Sequence, residues 1–194
     1  MQLTRSLLLL CLSVSAITAA AQRKNALLDH NNVIKINFNS DIVEGGIPLA
    51  WEFKTNQKQS LQLAITFTYS KNDDRSVSGI GFNPEYRFYL SKNKPGISGV
   101  YAGPFAAVNF LTYKDKYYNG TNATVKYNIT ALGGGVIFGH QWAWQSGFAL
   151  DLNLGLGLKT LSYKNKPANN NYYYDDDFAE GFIPRLGVAI GYAF

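Results

Sequence analysis

The chemistry-bearing residues of this chain are few. Glu52, Glu85 and Asp151 are its best-placed acids, and Lys35, Arg87 and Arg185 are the bases nearest to them in pattern. Each stands on the weaker face of a segment in which bulky apolar residues alternate with small or polar ones. Successive strand side chains point to opposite faces, so these six, with Lys54 and Lys159, are expected to look inward from one wall. A carboxylate pair is the minimum for acid–base work, but acids set among bases are held as carboxylates and have no proton to give. Charge in an enclosed space must be paired or hydrated. The six are therefore read as a lumenal network of ion pairs and hydrogen bonds that fills the interior. The alternatives are a narrow pore gated by the same pairs, and a catalytic pair.

Nucleophilic hydrolysis needs a nucleophile, a base and an orienting acid in one place. The only histidines are His30 and His140, and no nucleophile elbow occurs. His140 adjoins Gln141 and Trp142 and is read as part of an aromatic girdle. No catalytic, cofactor-binding or metal-binding residue is assigned, and no cofactor is expected. Tyr172, Tyr173 and Tyr174 precede Asp175, Asp176 and Asp177. Tyrosines offer rigid contact area and aspartates can collect Ca²⁺, so this is a possible surface-loop contact, though the spacing is not that of an EF-hand. Lys114, Lys116, Tyr117 and Tyr118 could meet lipopolysaccharide phosphates, a nonspecific electrostatic role. Three Asn-x-Thr sequons starting at Asn119, Asn122 and Asn128 are read as coincidental. The net charge of +5 is spread over turns, and there is no phosphate-binding Gly-Lys-Ser/Thr loop, so nucleic acid is not an expected partner.

The elements that hold these residues read as strands. Residues 1–21 have the form of a cleaved secretory signal: Arg5, an apolar run, then Ala19-Ala20-Ala21 ahead of Gln22. Cys11 lies inside it and is the only cysteine, so no disulfide framework is expected. Residues 22–31 form a short lead-in, and 32–194 a single domain. The alternation is cleanest in the last segment, where Phe182, Pro184, Leu186, Val188, Ile190, Tyr192 and Phe194 face one way. Gly181, Ile183, Arg185, Gly187, Ala189, Gly191 and Ala193 face the other. Leu150 to Leu158 by twos, Ile80 to Leu90 and Leu61 to Tyr69 repeat the pattern. Eight strands follow, near 32–40, 46–55, 60–70, 78–90, 99–114, 124–144, 147–164 and 180–194. Between 100 and 113 both faces are apolar and the phase is open. Around Gly133-Gly134-Gly135 the pattern breaks, which predicts a bulge or a strong bend.

In a soluble sandwich or lipocalin-like barrel the apolar face packs inside. Here the other face is made of Gly, Ala, Ser, Thr and ionic groups, which suits the narrow lumen of an eight-stranded barrel. The bulky residues then face lipid, and the sheet must close on itself. The connections support this with an imperfect rhythm of shorter and longer loops; 41–45 is short and 91–98 is not.

The terminal Gly191-Tyr192-Ala193-Phe194 resembles the C-terminal strand of bacterial outer-membrane β-barrels. Residues 82–89, 101–105 and 133–142 resemble a family of small Bacteroidota-type outer-membrane barrels of unknown function. That resemblance implies location in the bacterial outer membrane, membrane lipid and lipopolysaccharide as surroundings, and the barrel-assembly machinery as a partner. Phe194, Tyr192 and Ile190 would then form the assembly signal. The lipid A deacylase barrels are similar in size but carry His and Ser two positions apart, where this chain has His140 and Trp142. The reading is an all-β, eight-stranded antiparallel up-and-down transmembrane β-barrel, non-enzymatic, with a structural or surface-binding role. A lipid-modifying barrel enzyme and a soluble exported ligand-binding barrel are the alternatives.

Overall fold

The computed structural model describes residues 30–39, 46–72, 74–91, 97–116, 124–164 and 181–194. They form eight strands: β1 Asn32–Asn39, β2 Gly46–Asn56, β3 Gln59–Lys71, β4 Arg75–Tyr89, β5 Gly99–Asp115, β6 Val125–Ala143, β7 Phe148–Lys164 and β8 Gly181–Ala193. Each pairs antiparallel with the next, and β8 returns to β1 through Val33↔Ala193 to Asn39↔Gly187. The fold is a closed eight-stranded barrel. Closure leaves no sheet edge, which an apolar exterior demands. The proposed signal (1–21), most of the lead-in and the Tyr172–Asp177 cluster lie outside the described residues.

Period-two alternation fixes which side chains enter the lumen. Leu152, Leu154 and Val188 point outward and are 42%, 53% and 44% exposed, whereas Asp151 and Ala189, adjacent to Leu152 and Val188, are fully buried. The apolar face is therefore the outer one, the reverse of a soluble barrel. In β5 and β6 the odd-numbered residues face inward throughout, from Tyr101 to Tyr113 and from Tyr127 to Gln141. The expected bulge at Gly133–Gly135 is absent: β6 keeps an unbroken register with both β5 and β7. The glycines serve close approach instead, since a Cβ on Gly135 would meet the backbone of Leu156 and Gly157. Among the described residues, the one shift of register lies between Lys54 and Asn56 at the β2–β3 turn.

Both described chain ends share one end of the barrel with the β2–β3, β4–β5 and β6–β7 connections. The β6–β7 turn is tight, closed by Gly147 N–H to Trp144 O (2.9 Å). Gly147 has φ +85°, a left-handed backbone that favours glycine, and a Cβ there would strike the Tyr192 ring. In the β4–β5 connection, Ile97 is 2% exposed and belongs to one hydrophobic cluster with Val33, Tyr89, Tyr101 and Ala193. A second cluster of Leu111, Tyr113, Tyr127 and Ile129 lies on the inward face of β5 and β6 toward the other end.

Candidate functional site

The inward faces of β1, β2, β4, β7 and β8 bring Lys35, Glu52, Glu85, Arg87, Asp151 and Arg185 together, each at most 3% exposed. Lys35 Nζ donates to Glu52 Oε2 (2.6 Å), Gln141 Oε1 (2.7 Å) and Asp151 Oδ2 (3.1 Å). That accounts for all three ammonium protons. Arg87 grips Glu85 Oε2 through Nε (3.0 Å) and Nη2 (2.6 Å), while its Nη1 reaches Asp151 Oδ2 (2.6 Å) and Glu52 Oε2 (3.4 Å). Arg185 Nη2 completes the chain on Glu85 Oε1 at 2.5 Å. Three acids meet three bases, so the cluster is neutral as a whole.

Neutral donors complete the coordination of the carboxylates. Ser60 Oγ and Tyr89 Oη each donate to Glu52 Oε1 at 2.6 Å, and Tyr101 Oη donates to Asp151 Oδ1 at 2.7 Å. Gln141 Nε2 donates to Ile97 O (2.7 Å), tying the network to the residue just before β5. Aromatic faces cover the cations: Arg87 lies 4.2 Å from the Tyr101 ring centre and Arg185 4.9 Å from that of Phe105. Ser60, Tyr89, Tyr101 and Gln141 were not singled out by sequence. The available signal was their inward parity, which for Tyr101 and Gln141 depended on the undetermined phase of their strands.

Small residues make room for this cluster. Lys35 stands opposite Gly191, Tyr101 opposite Gly139 and Arg185 opposite Gly155. A Cβ on Gly139 would come within 2.6 Å of Tyr101 Cζ, and one on Gly191 within 2.7 Å of Lys35 Cγ. Beyond the network lies a lumenal cavity of about 30 Å³ whose lining includes Thr66, Asn83, Asn109, Lys159 and Arg185. This is room for a water or two and for no larger ligand. Lys54 is half-exposed near the β2–β3 turn.

The remaining candidates sit elsewhere. His140 is on the outer wall, its ring edge-on to Trp142 at 4.0 Å between centres. Among the described residues no group of three His, Cys, Asp or Glu is placed to hold a metal ion. Ile190, Tyr192 and Phe194 point outward from the closing strand. Phe194 N–H donates to Asn32 O and Phe194 O accepts from Asn32 N–H, both at 2.9 Å.

Among solved structures the chain is similar to Neisserial surface protein A (NspA), at 14% identity over 84% of this chain and 95% of that one, TM-score 0.42. It is also similar to the N-terminal β-barrel domain of Pseudomonas aeruginosa OprF, at 11% identity over 86% and 98%, TM-score 0.41. A third is the Yersinia pestis outer membrane protein Ail, at 13% identity over 86% and 100%, TM-score 0.40. No curated protein sequence matches the chain significantly. Residues 7–194 match the model of one family, and the chain belongs to it: the family described as protein of unknown function, DUF3575.

Proposed function

We propose that this protein is an integral β-barrel of the bacterial outer membrane with a filled lumen, acting structurally or through its surface loops rather than as an enzyme. The observation that carries the reading is the inside-out distribution of side chains. The ion-pair network is buried, while the outward positions from Ile34 to Phe194 form a belt of large apolar residues around a closed sheet. Moving a half-exposed large apolar side chain from water to hydrocarbon is worth on the order of 1 kcal/mol. Over such a belt the gain reaches tens of kcal/mol, well above the roughly 5–15 kcal/mol that holds a domain folded. A water-soluble monomer rarely exposes more than a few hundred Å² of contiguous apolar surface.

Length and aromatic placement fit the same reading. Strands β2 to β8 run from 11 to 19 residues, enough to cross hydrocarbon when tilted. Trp51, Phe88, Phe148, Tyr192 and Phe194 face outward at the end bearing the chain termini, and Phe38, Phe67, Tyr69 and Phe182 at the other. Such girdles mark the two interfaces of membrane barrels. The carboxylates an acid–base enzyme would use are committed to ion pairs, and His140 is packed on Trp142. The outward Ile190, Tyr192 and Phe194 suit the assembly-signal role. The likeness of residues 82–89, 101–105 and 133–142 to Bacteroidota-type barrels supports that origin.

The test is fractionation and heat-modifiability. The expected result is a carbonate-resistant membrane protein whose unboiled form migrates differently from its boiled form. Recovery in the soluble fraction, with one mobility under both conditions, overturns the reading. Incubation with lipid A and a search for acyl loss tests the enzymatic alternative.

A further inference from the structure

The strand charges are sorted by face. Among the described residues every strand acid points to the lumen side: Glu52, Glu85 and Asp151 in the network, and Asp115 beside Arg75. The strand cations that point outward are Lys71, Lys114, Lys126 and Lys164, all exposed and all toward the end opposite the chain termini. No outward strand acid balances them among the described residues.

Register gathers three of them. Lys114 on β5 lies directly opposite Lys126 on β6, whereas Lys71 on β3 is two strands beyond Lys114, across Ser76 of β4, and four strands from β7. Lys164 on β7 pairs with Asn128, two residues from Lys126, and is thus its diagonal neighbour. Directly opposed like charges repel and weaken a sheet unless something anionic lies between them. Diagonal and one-strand-removed neighbours stay within about 10 Å. A lysine is a compact, flexible point charge suited to phosphate.

The setting says what carries the phosphate. The apolar belt ends at Tyr69 on β3, Phe110 on β5, Leu132 on β6 and Leu158 on β7. Each lysine is the next outward charge beyond that edge. The outward positions between are uncharged and polar: Thr112 on β5, Asn128 and Thr130 on β6, and Thr160 and Ser162 on β7. An anion here sits where a headgroup would, with its acyl chains along Phe110, Leu132 and Leu158. We propose that Lys114, Lys126 and Lys164 form a clamp for the phosphate groups of a membrane lipid headgroup. The proposal rests on the membrane reading and deepens it.

The test uses the full chain folded in a zwitterionic detergent, with heat-modifiable migration as the check of folding. Three probes are titrated: lipid A carrying its phosphates, the same lipid dephosphorylated, and inorganic phosphate. Bound species are counted by native mass spectrometry. Phosphorylated lipid A is expected to bind best. Changing Lys114, Lys126 or Lys164 singly to Gln should weaken it by roughly fivefold, and the triple variant K114Q/K126Q/K164Q on the order of a hundredfold. Lys58→Gln, in the turn at the opposite end, leaves binding unchanged. Undiminished binding to a folded triple variant overturns the clamp, as does equal binding of the dephosphorylated lipid. Inorganic phosphate bound as tightly as the lipid overturns the headgroup assignment. Failure of the membrane reading looks different, because the chain would then lack heat-modifiable migration from the outset.

Discussion

Arg87 on β4 and Asp151 on β7 meet at 2.6 Å, Nη1 to Oδ2, although their strands never pair and stand three apart around the wall. The contact crosses the lumen. It cross-braces a sheet whose backbone bonds run between adjacent strands; Lys35 adds a second brace from β1 to the same Asp151 oxygen at 3.1 Å, and Arg185 on β8 a third to Glu85 on β4. A barrel of this size encloses side chains rather than water, and here the enclosed side chains are charged. Such a network gains little over a well-packed apolar filling, but removing one partner leaves an uncompensated buried charge.

Asp151→Asn should therefore destabilise the folded barrel by about 3–5 kcal/mol, because Arg87 and Lys35 both lose their shared acceptor charge. Guanidinium unfolding in lipid vesicles, followed by tryptophan fluorescence, measures this. Tyr101→Phe removes one hydrogen bond to the same carboxylate and should cost less, about 1.5–3 kcal/mol. A loss for Asp151→Asn no larger than that for Tyr101→Phe would show that the cross-lumen pairs carry no special weight.

Gly191 sets the room for Lys35. A Cβ there would sit 2.7 Å from Lys35 Cγ and against the Ile34 carbonyl, so Gly191→Ala should cost about 1–3 kcal/mol through overpacking. The displaced ammonium would also lose its contact with Glu52. Glu52→Gln should then cost less in the Gly191→Ala background than in the parent, with a coupling of about 0.5–3 kcal/mol. Strict additivity in that double-mutant cycle would mean that Lys35 holds its place without the gap.

Leu154 and Leu156 lie midway along β7 on the outer face. Replacing either with Arg should destabilise a membrane-inserted barrel by about 2–4 kcal/mol. An arginine nearer the interface, at Phe148, should cost about 0–1 kcal/mol. Unfolding in vesicles reads the gradient. A soluble protein would show none, since exposed surface substitutions usually stay within about 0.5 kcal/mol.

The barrel was legible in sequence where the two faces differ in kind. In β7 and β8 leucines and aromatics oppose glycines and alanines, so faces and strand limits could be read to within a few residues. The phase of β5 and β6 was hidden for the opposite reason. Inward Leu111, Tyr113, Ile129 and Ile137 are apolar because the lumen holds two hydrophobic clusters beside its ionic one. Outward Ala102, Ala106 and Gly134 are small, so neither face stands out. The bulge expected at Gly133–Gly135 assumed that glycine interrupts pairing, whereas here it permits β6 and β7 to approach. Alternation placed the six charged residues on one face, but their partners across the axis, and the part played by Tyr89, Tyr101 and Gln141, depend on three-dimensional closure that a period of two does not encode.

Phe194 separates assembly from stability. Its backbone closes the barrel through Asn32, but its side chain points outward and is half exposed. Truncating it leaves the closing hydrogen bonds in place and removes outward apolar contact worth on the order of 1 kcal/mol. Phe194→Ala should therefore refold in detergent with nearly parental yield and heat-modifiability. If Phe194 is part of the signal read during insertion, the same variant should accumulate severalfold less in the membranes of living cells. The double variant with Tyr192→Ala should accumulate less still, since Tyr192 and Ile190 lie on the same outward face. Equal accumulation of parent and variants would restrict these residues to the lipid-facing belt.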